Sequence, residues 1–331
     1  MAAEFRIVDP VFFDAQTQRY RSVEDLRHRL TLSEPSDDAH RFYACIQAAR
    51  AAYVSLPAIA QLARLAFVEA AAETDGFELR ASLFSMTRTL VENQHGNWRD
   101  LAPVEFAELA RSVLLVVLDA RDQAAASEGK PMLVRVGFSR TFESESHYRA
   151  MAHMLVEHRD RICGLDVLGI VAGDDREPMP PALRDILQAL RRDIPDLTIH
   201  AGEFEDHHSV ERTLALAPQA IGHGVRAVGS HEVMRRLADE GVTLEVCPSS
   251  NRWLIPTALR ALEDQHHCAP LVALQRAHVH CVLGSDDPSP MATTFAREWS
   301  VAERAGVDLV QLQRDIDRRW HQLTGPKSPS E

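Results

Sequence analysis

From residue 77 onward the chain repeats one pattern. A short apolar run is followed by a longer stretch with helical spacing, and the cycle recurs about seven times. The strand-like runs are 77–83, 132–138, 165–171, 197–200, 220–222, 243–247 and 279–284. Between them lie helical stretches at 104–126, 144–158, 181–192, 208–216 and 231–240, then helix with a polar loop across 258–278. Two closing helices are expected near 291–305 and 308–322. Repeated strand–helix units demand a parallel sheet with helical crossovers. A (β/α)8 TIM barrel is the best fit, and it places functional residues at the C-terminal ends of the strands. A doubly wound open sheet is the alternative, weakened by the lack of a glycine-rich dinucleotide loop after the early strands.

The start of the chain fits this repeat poorly. Residues 38–72 read as long helix divided by Pro57, and 23–30 as a short one. Phe5-Arg6-Ile7-Val8-Asp9 is the only strand-like candidate to close a barrel, so the first strand is expected to be altered or incomplete. The expected division is a divergent segment 1–36, a barrel domain 37–324 and a disordered tail 325–331.

Charge and cysteine usage narrow the function classes. A net charge of −12 argues against a general nucleic-acid surface, though not against a nucleotide as a small ligand. Five scattered cysteines without CxxC spacing read as core thiols in a reducing compartment. The start of the chain lacks a long apolar signal region, and no run approaches membrane-spanning length. A cytoplasmic protein is expected.

Several strands end in residues that carry chemistry. Thr198-Ile199-His200-Ala201-Gly202-Glu203 closes one strand with an imidazole and, three residues on, a carboxylate. Gly222-His223-Gly224 sets a histidine between two residues that permit close approach or positive φ. Gly284-Ser285-Asp286-Asp287-Pro288 places two adjacent carboxylates after a strand, which is costly unless a cation or donors compensate. Each has an ordinary reading: a hydrogen-bonded strand-end histidine, a turn histidine, and a helix N-cap followed by proline. Alone, those readings win for His200 and for Asp286-Asp287; in series they do not. The chain's HxH pair, His278-Val279-His280, precedes the last strand, ~20 Å of extended chain from Asp286, and is expected to be structural.

At these motifs the sequence resembles the adenosine and adenine deaminase family of amidohydrolases. The resemblance rests on His200-Ala201-Gly202-Glu203, Gly222-His223-Gly224, Cys247-Pro248-Ser249-Ser250-Asn251 and Ser285-Asp286-Asp287-Pro288, in that order. It implies a metal-dependent barrel enzyme. His200 and Asp286 would be metal ligands, Glu203 the acid that protonates the purine ring, and His223 the group that orients and deprotonates the attacking water. Asp287 and the backbone of Gly173 would bind the purine. The implied cofactor is Zn2+ or another divalent metal if the site is intact, and none if it is not.

The departure is at the first strand, where the family carries an HxH. Leu26-Arg27-His28-Arg29-Leu30 could be a degraded version, with Arg27 and Arg29 at the histidine positions. The preferred reading makes 23–33 the helical region that follows the strand. Either way His200 and Asp286 supply two ligands where zinc prefers at least three. Three functions compete: a purine aminohydrolase with a non-standard metal site, an inactive homologue binding a nucleoside-like ligand or a protein partner, and a different hydrolysis on the same scaffold. The expected ligand is a small purine-like molecule; a homo-oligomer is compatible with all three.

Overall fold

A computed structural model describes residues 1–325; residues 326–331, most of the tail expected to be disordered, lie outside the described part. The chain divides into two compact units. One comprises residues 1–33 and 38–162, the other residues 34–37 and the chain from Cys163 onward.

In the first unit, residues 5–9 do not form the expected strand. Arg6 takes a positive φ, Ile7 N donates to Ala2 O, and the Asp9 carboxylate accepts from Val11 N at 2.8 Å. The physical reason is local burial: Ile7 and Phe12 are buried in a small cluster with Ala52, so no partner strand is needed to shield them. The strand pairing before Phe77, among the described residues, is a two-residue antiparallel contact of Phe13–Asp14 with Arg19–Tyr20. Residues Val23–Leu30 are helical, begun by a capping box in which Ser22 and Asp25 satisfy each other's backbone amides. Arg27 and Arg29 therefore lie on a helix, not at a strand end. Helices Ala39–Arg50 and Leu56–Ala71 follow, separated near Pro57 as expected.

Strands β1 (Phe77–Ala81) and β2 (Met132–Ser139) pair in parallel, with Phe77 opposite Met132 and Ala81 opposite Val136. Between them runs a helix that the periodicity does not announce, Leu83–Asn93, and then the long helix Pro103–Glu128. Phe84 stacks on Tyr148 at 4.4 Å between ring centroids and meets Trp98 edge-on, anchoring this unit's core.

The second unit repeats strand and helix with little interruption. Its strands are β3 (Gly164–Leu168), β4 (Leu197–Ala201), β5 (Ala220–His223), β6 (Thr243–Val246) and β7 (Cys281–Leu283), each parallel to the next. Helices Pro181–Leu190, His207–Leu214 and His231–Glu240 cross between them, and Phe295–Arg304 and Leu309–Thr324 close the unit. The apolar residues of β5 to β7 and their helices form one continuous core that includes Ile221, Leu244, Leu274 and Cys281. Of the His278-His280 pair, His280 is tied to the fold by a carboxylate. His280 precedes β7, and its Nδ1 lies 2.9 Å from the buried carboxylate of Asp315.

None of the five cysteines forms a disulfide, and Cys45, Cys163, Cys247 and Cys281 are buried. Burial pushes the Cys281 thiol far up, and the nearby Asp315 carboxylate adds to the shift. Among the described residues no helix is long and apolar enough to cross a membrane.

Candidate active site

The site is built where β4, β5 and β7 end. Strand register sets its first contact: His200 lies opposite Gly222, and Ala201 opposite His223. A Cβ on Gly222 would fall 2.8 Å from the His200 ring, so only glycine lets the imidazole lie across the neighbouring strand. On the other side, β3 holds the fully buried Asp166, whose carboxylate meets His200 Nδ1 at 3.1 Å. A carboxylate on Nδ1 fixes the ring and its tautomer. Nothing in the apolar run around Asp166 marks it as functional; its one signal is a charged residue in the middle of a strand that reads as buried.

His223 is buried and has φ +58°, a costly conformation for a residue with a Cβ. Gly224 follows at φ +66°, where a Cβ would also strike Leu244. This turn swings the imidazole inward. Its Nε2 lies 3.6 Å from Glu203 Oε2 and 4.0 Å from Asp286 Oδ2, and its Nδ1 lies 3.1 Å from the Asn251 side-chain amide. The ring sits 5.2 Å from that of His200, centroid to centroid.

Asp286 likewise has a positive φ, +54°. Its Oδ2 accepts from Ser250 Oγ at 2.6 Å. Ser250 and Asn251 therefore hold Asp286 and His223 from one short helix, Pro248–Leu254. That helix is pinned by Glu298, a fully buried carboxylate that accepts from Ser249 N at 2.8 Å and from the Thr293 hydroxyl.

One potential ligand atom each from Glu203, His223 and Asp286 lies within 4.8 Å of the other two. Three residues spread over 83 positions of sequence, from Glu203 to Asp286, thus converge on one point. His200 stands beside this group through the His223 ring rather than within it. Asp287 occupies the N-cap position of the short helix Pro288–Met291 but makes no side-chain cap bond. Gly173 sits in an exposed loop at φ +133°, with open space where a Cβ would stand. Sequence reasoning missed Asp166, Glu298 and Glu177, and it placed Ser250 and Asn251 in a motif without their contacts to Asp286 and His223; these bonds run across the fold.

The profile of the adenosine deaminase family matches residues 20–315. The chain belongs to the adenosine deaminase family. It is 41% identical over 146 residues to an adenine deaminase of Chelativorans sp., covering 43% of this chain and 42% of that protein. The chain thus matches about two-fifths of the length of that relative. An adenine deaminase of Sinorhizobium fredii is 30% identical over 248 residues, 75% of this chain and 70% of that one. In fold, the chain is similar to the crystal structure of an adenine deaminase from Arthrobacter aurescens. The TM-score is 0.72 at 18% identity, over 98% of this chain and 89% of the other. This is the TIM-barrel architecture of the family, and the altered first strand is its departure.

Proposed function

We propose that the chain is a purine aminohydrolase that replaces an exocyclic amino group of a purine base, nucleoside or nucleotide by hydrolysis. The observation that carries this reading is the convergence of Glu203, His223 and Asp286 within 4.8 Å. An acid, a base and a second carboxylate around one point are what the addition of water to a ring carbon requires.

The donor set suits a divalent ion that accepts nitrogen and oxygen. His200, held at Nδ1 by Asp166, would offer Nε2, and Asp286 would offer carboxylate oxygen. When bound, such an ion brings the pKa of water down from 15.7 toward about 7. The remaining work belongs to the chain. His223 Nε2 faces Glu203 and Asp286, so it is the nitrogen able to take a proton from water. That requires Nδ1 to carry a hydrogen, which Asn251 accepts through Oδ1 once its amide is turned end for end. Glu203, almost enclosed, holds the proton destined for the ring nitrogen beside the attacked carbon. Asp287 would accept or donate at the five-membered ring, and the Gly173 amide would donate to the purine.

With the metal site supported by His200 and Asp286 alone, the ion is held less tightly than by three or more protein ligands. Metal analysis before and after dialysis, with an absorbance assay on adenine and adenosine, tests the reading. The expected result is activity that falls on dialysis and returns with added Zn2+. Glu203→Gln should lower kcat by ~10²–10⁴-fold with a smaller effect on KM. No retained metal and no turnover across a broad purine panel would sink the proposal.

The absence of an HxH before β1 favours one alternative, a nucleoside-binding homologue without catalysis. It would show as a thermal shift with purine nucleosides in a protein that turns none of them over.

A further inference from the structure

Glu177 is a buried carboxylate that the chemistry above does not use. It stands in the loop between β3 and the helix Pro181–Leu190, four residues after Gly173. Its two oxygens accept from three consecutive backbone amides: Oε2 from Gly202 N at 2.9 Å, and Oε1 from Glu203 N at 3.2 Å and Phe204 N at 3.0 Å. The contact is reciprocated. Glu205 Oε1 accepts from the backbone amides of Arg176 and Glu177, the latter at 3.2 Å, and Arg212 pairs with the same carboxylate. Two loops are therefore clasped by two carboxylates, each satisfying the other loop's amides. One loop carries Gly173 and the other carries Glu203.

We propose that Glu177 is a positioning residue: by holding the 202–204 amides it fixes the backbone from which the Glu203 carboxylate projects toward His223. The inference rests on Glu203 being the acid of the proposed reaction. A carboxylate has about four acceptor sites and binds amides more strongly than a neutral group does, so one side chain can order three peptide units. Loss of that order lets Glu203 wander, and displacements of about 1 Å at a reacting group can cost ~10²-fold in rate. An acid misplaced in this way lowers kcat and leaves substrate affinity nearly unchanged.

The test uses the full chain with Glu177→Ala and Glu177→Gln, read by steady-state kinetics and by hydrogen–deuterium exchange of the peptide spanning residues 199–205. Glu177→Ala should lower kcat by ~10²-fold with KM within ~3-fold, and exchange in that peptide should quicken while β4 to β7 keep their protection. Glu177→Gln keeps the volume and one acceptor oxygen, and should lie between the two. Unchanged exchange in both variants overturns the clasp. Faster exchange with unchanged kcat overturns the positioning role. If Glu177→Ala unfolds, Glu177→Gln decides: a well-folded variant with wild-type kcat and exchange overturns the proposal. If the wild-type chain deaminates no purine, the functional reading fails; the clasp is then judged by exchange alone.

Discussion

At the scale of single residues, the site depends on a few backbone conformations that most side chains avoid. His223 and Asp286 both hold positive φ, and both belong to the three-residue convergence. Such strain costs ~1–3 kcal/mol per residue and persists only where surrounding contacts over-determine it. Here Asn251 and Ser250 supply those contacts. The glycines on either side of His223 were legible as permissive positions; which one meets what was not. Gly222 is needed for space, because the His200 ring lies against it, whereas Gly224 is needed both for its φ and for space beside Leu244. Gly222→Ala should therefore push the His200 ring off its Asp166 contact. The expected result is a folded protein whose Zn2+ affinity, measured by competition with a chromogenic chelator, falls at least ~10-fold, the range seen when a ligand's supporting contact is lost. Wild-type affinity in that variant would refute this account of Gly222.

At the scale of elements, the parallel strands of both units fall where apolar runs were read, because a buried strand needs such a run whatever surrounds it. Helix Leu83–Asn93 has no such local signal, for the opposite reason. It is buried on several sides, with Ser85, Thr87 and Thr89 inside, so no clean polar stripe marks its period. Thr87 hides its hydroxyl by donating to Leu83 O. Helix Pro248–Leu254 shows how an element acquires a role by attachment. It is only seven residues long and depends on the Glu298 carboxylate from another helix. Glu298→Ala leaves the buried Ser249 amide without its acceptor, while the Thr293 hydroxyl keeps Ser249 Oγ as a partner, and should cost ~1–3 kcal/mol. Denaturant unfolding measures that loss. Because Ser250 and Asn251 shift with the helix, kcat should fall further than stability alone explains. A variant with unchanged unfolding would show that Glu298 does not hold this helix.

At the scale of the whole molecule, the second unit is tied together by charge as well as by its apolar core. Arg319, on the last long helix, makes a two-pronged contact with Asp196 at the start of β4, at 2.6 and 2.8 Å, and reaches Glu245 on β6 at 3.6 Å. These groups are buried or nearly so, and removing the cation strands two carboxylates. Arg319→Met should destabilise by ~3–5 kcal/mol, read as a drop in melting temperature. A change under ~1 kcal/mol would place the pair in the weak class of surface contacts. The strand–helix alternation and the positions of His200, Glu203, His223 and Asp286 at or just after strand ends were readable from the chain by itself. Each is a local pattern: an apolar run, a turn residue, a polar side chain at a strand end. The tertiary structure alone decided that residues 5–9 turn into a small cluster with Ala52 instead of forming a strand. It alone recruited Asp166, Glu177, Asn251 and Glu298 as supports. Their role depends on hydrogen bonds to positions 25 to 49 residues away, and no local pattern encodes a partner at that distance.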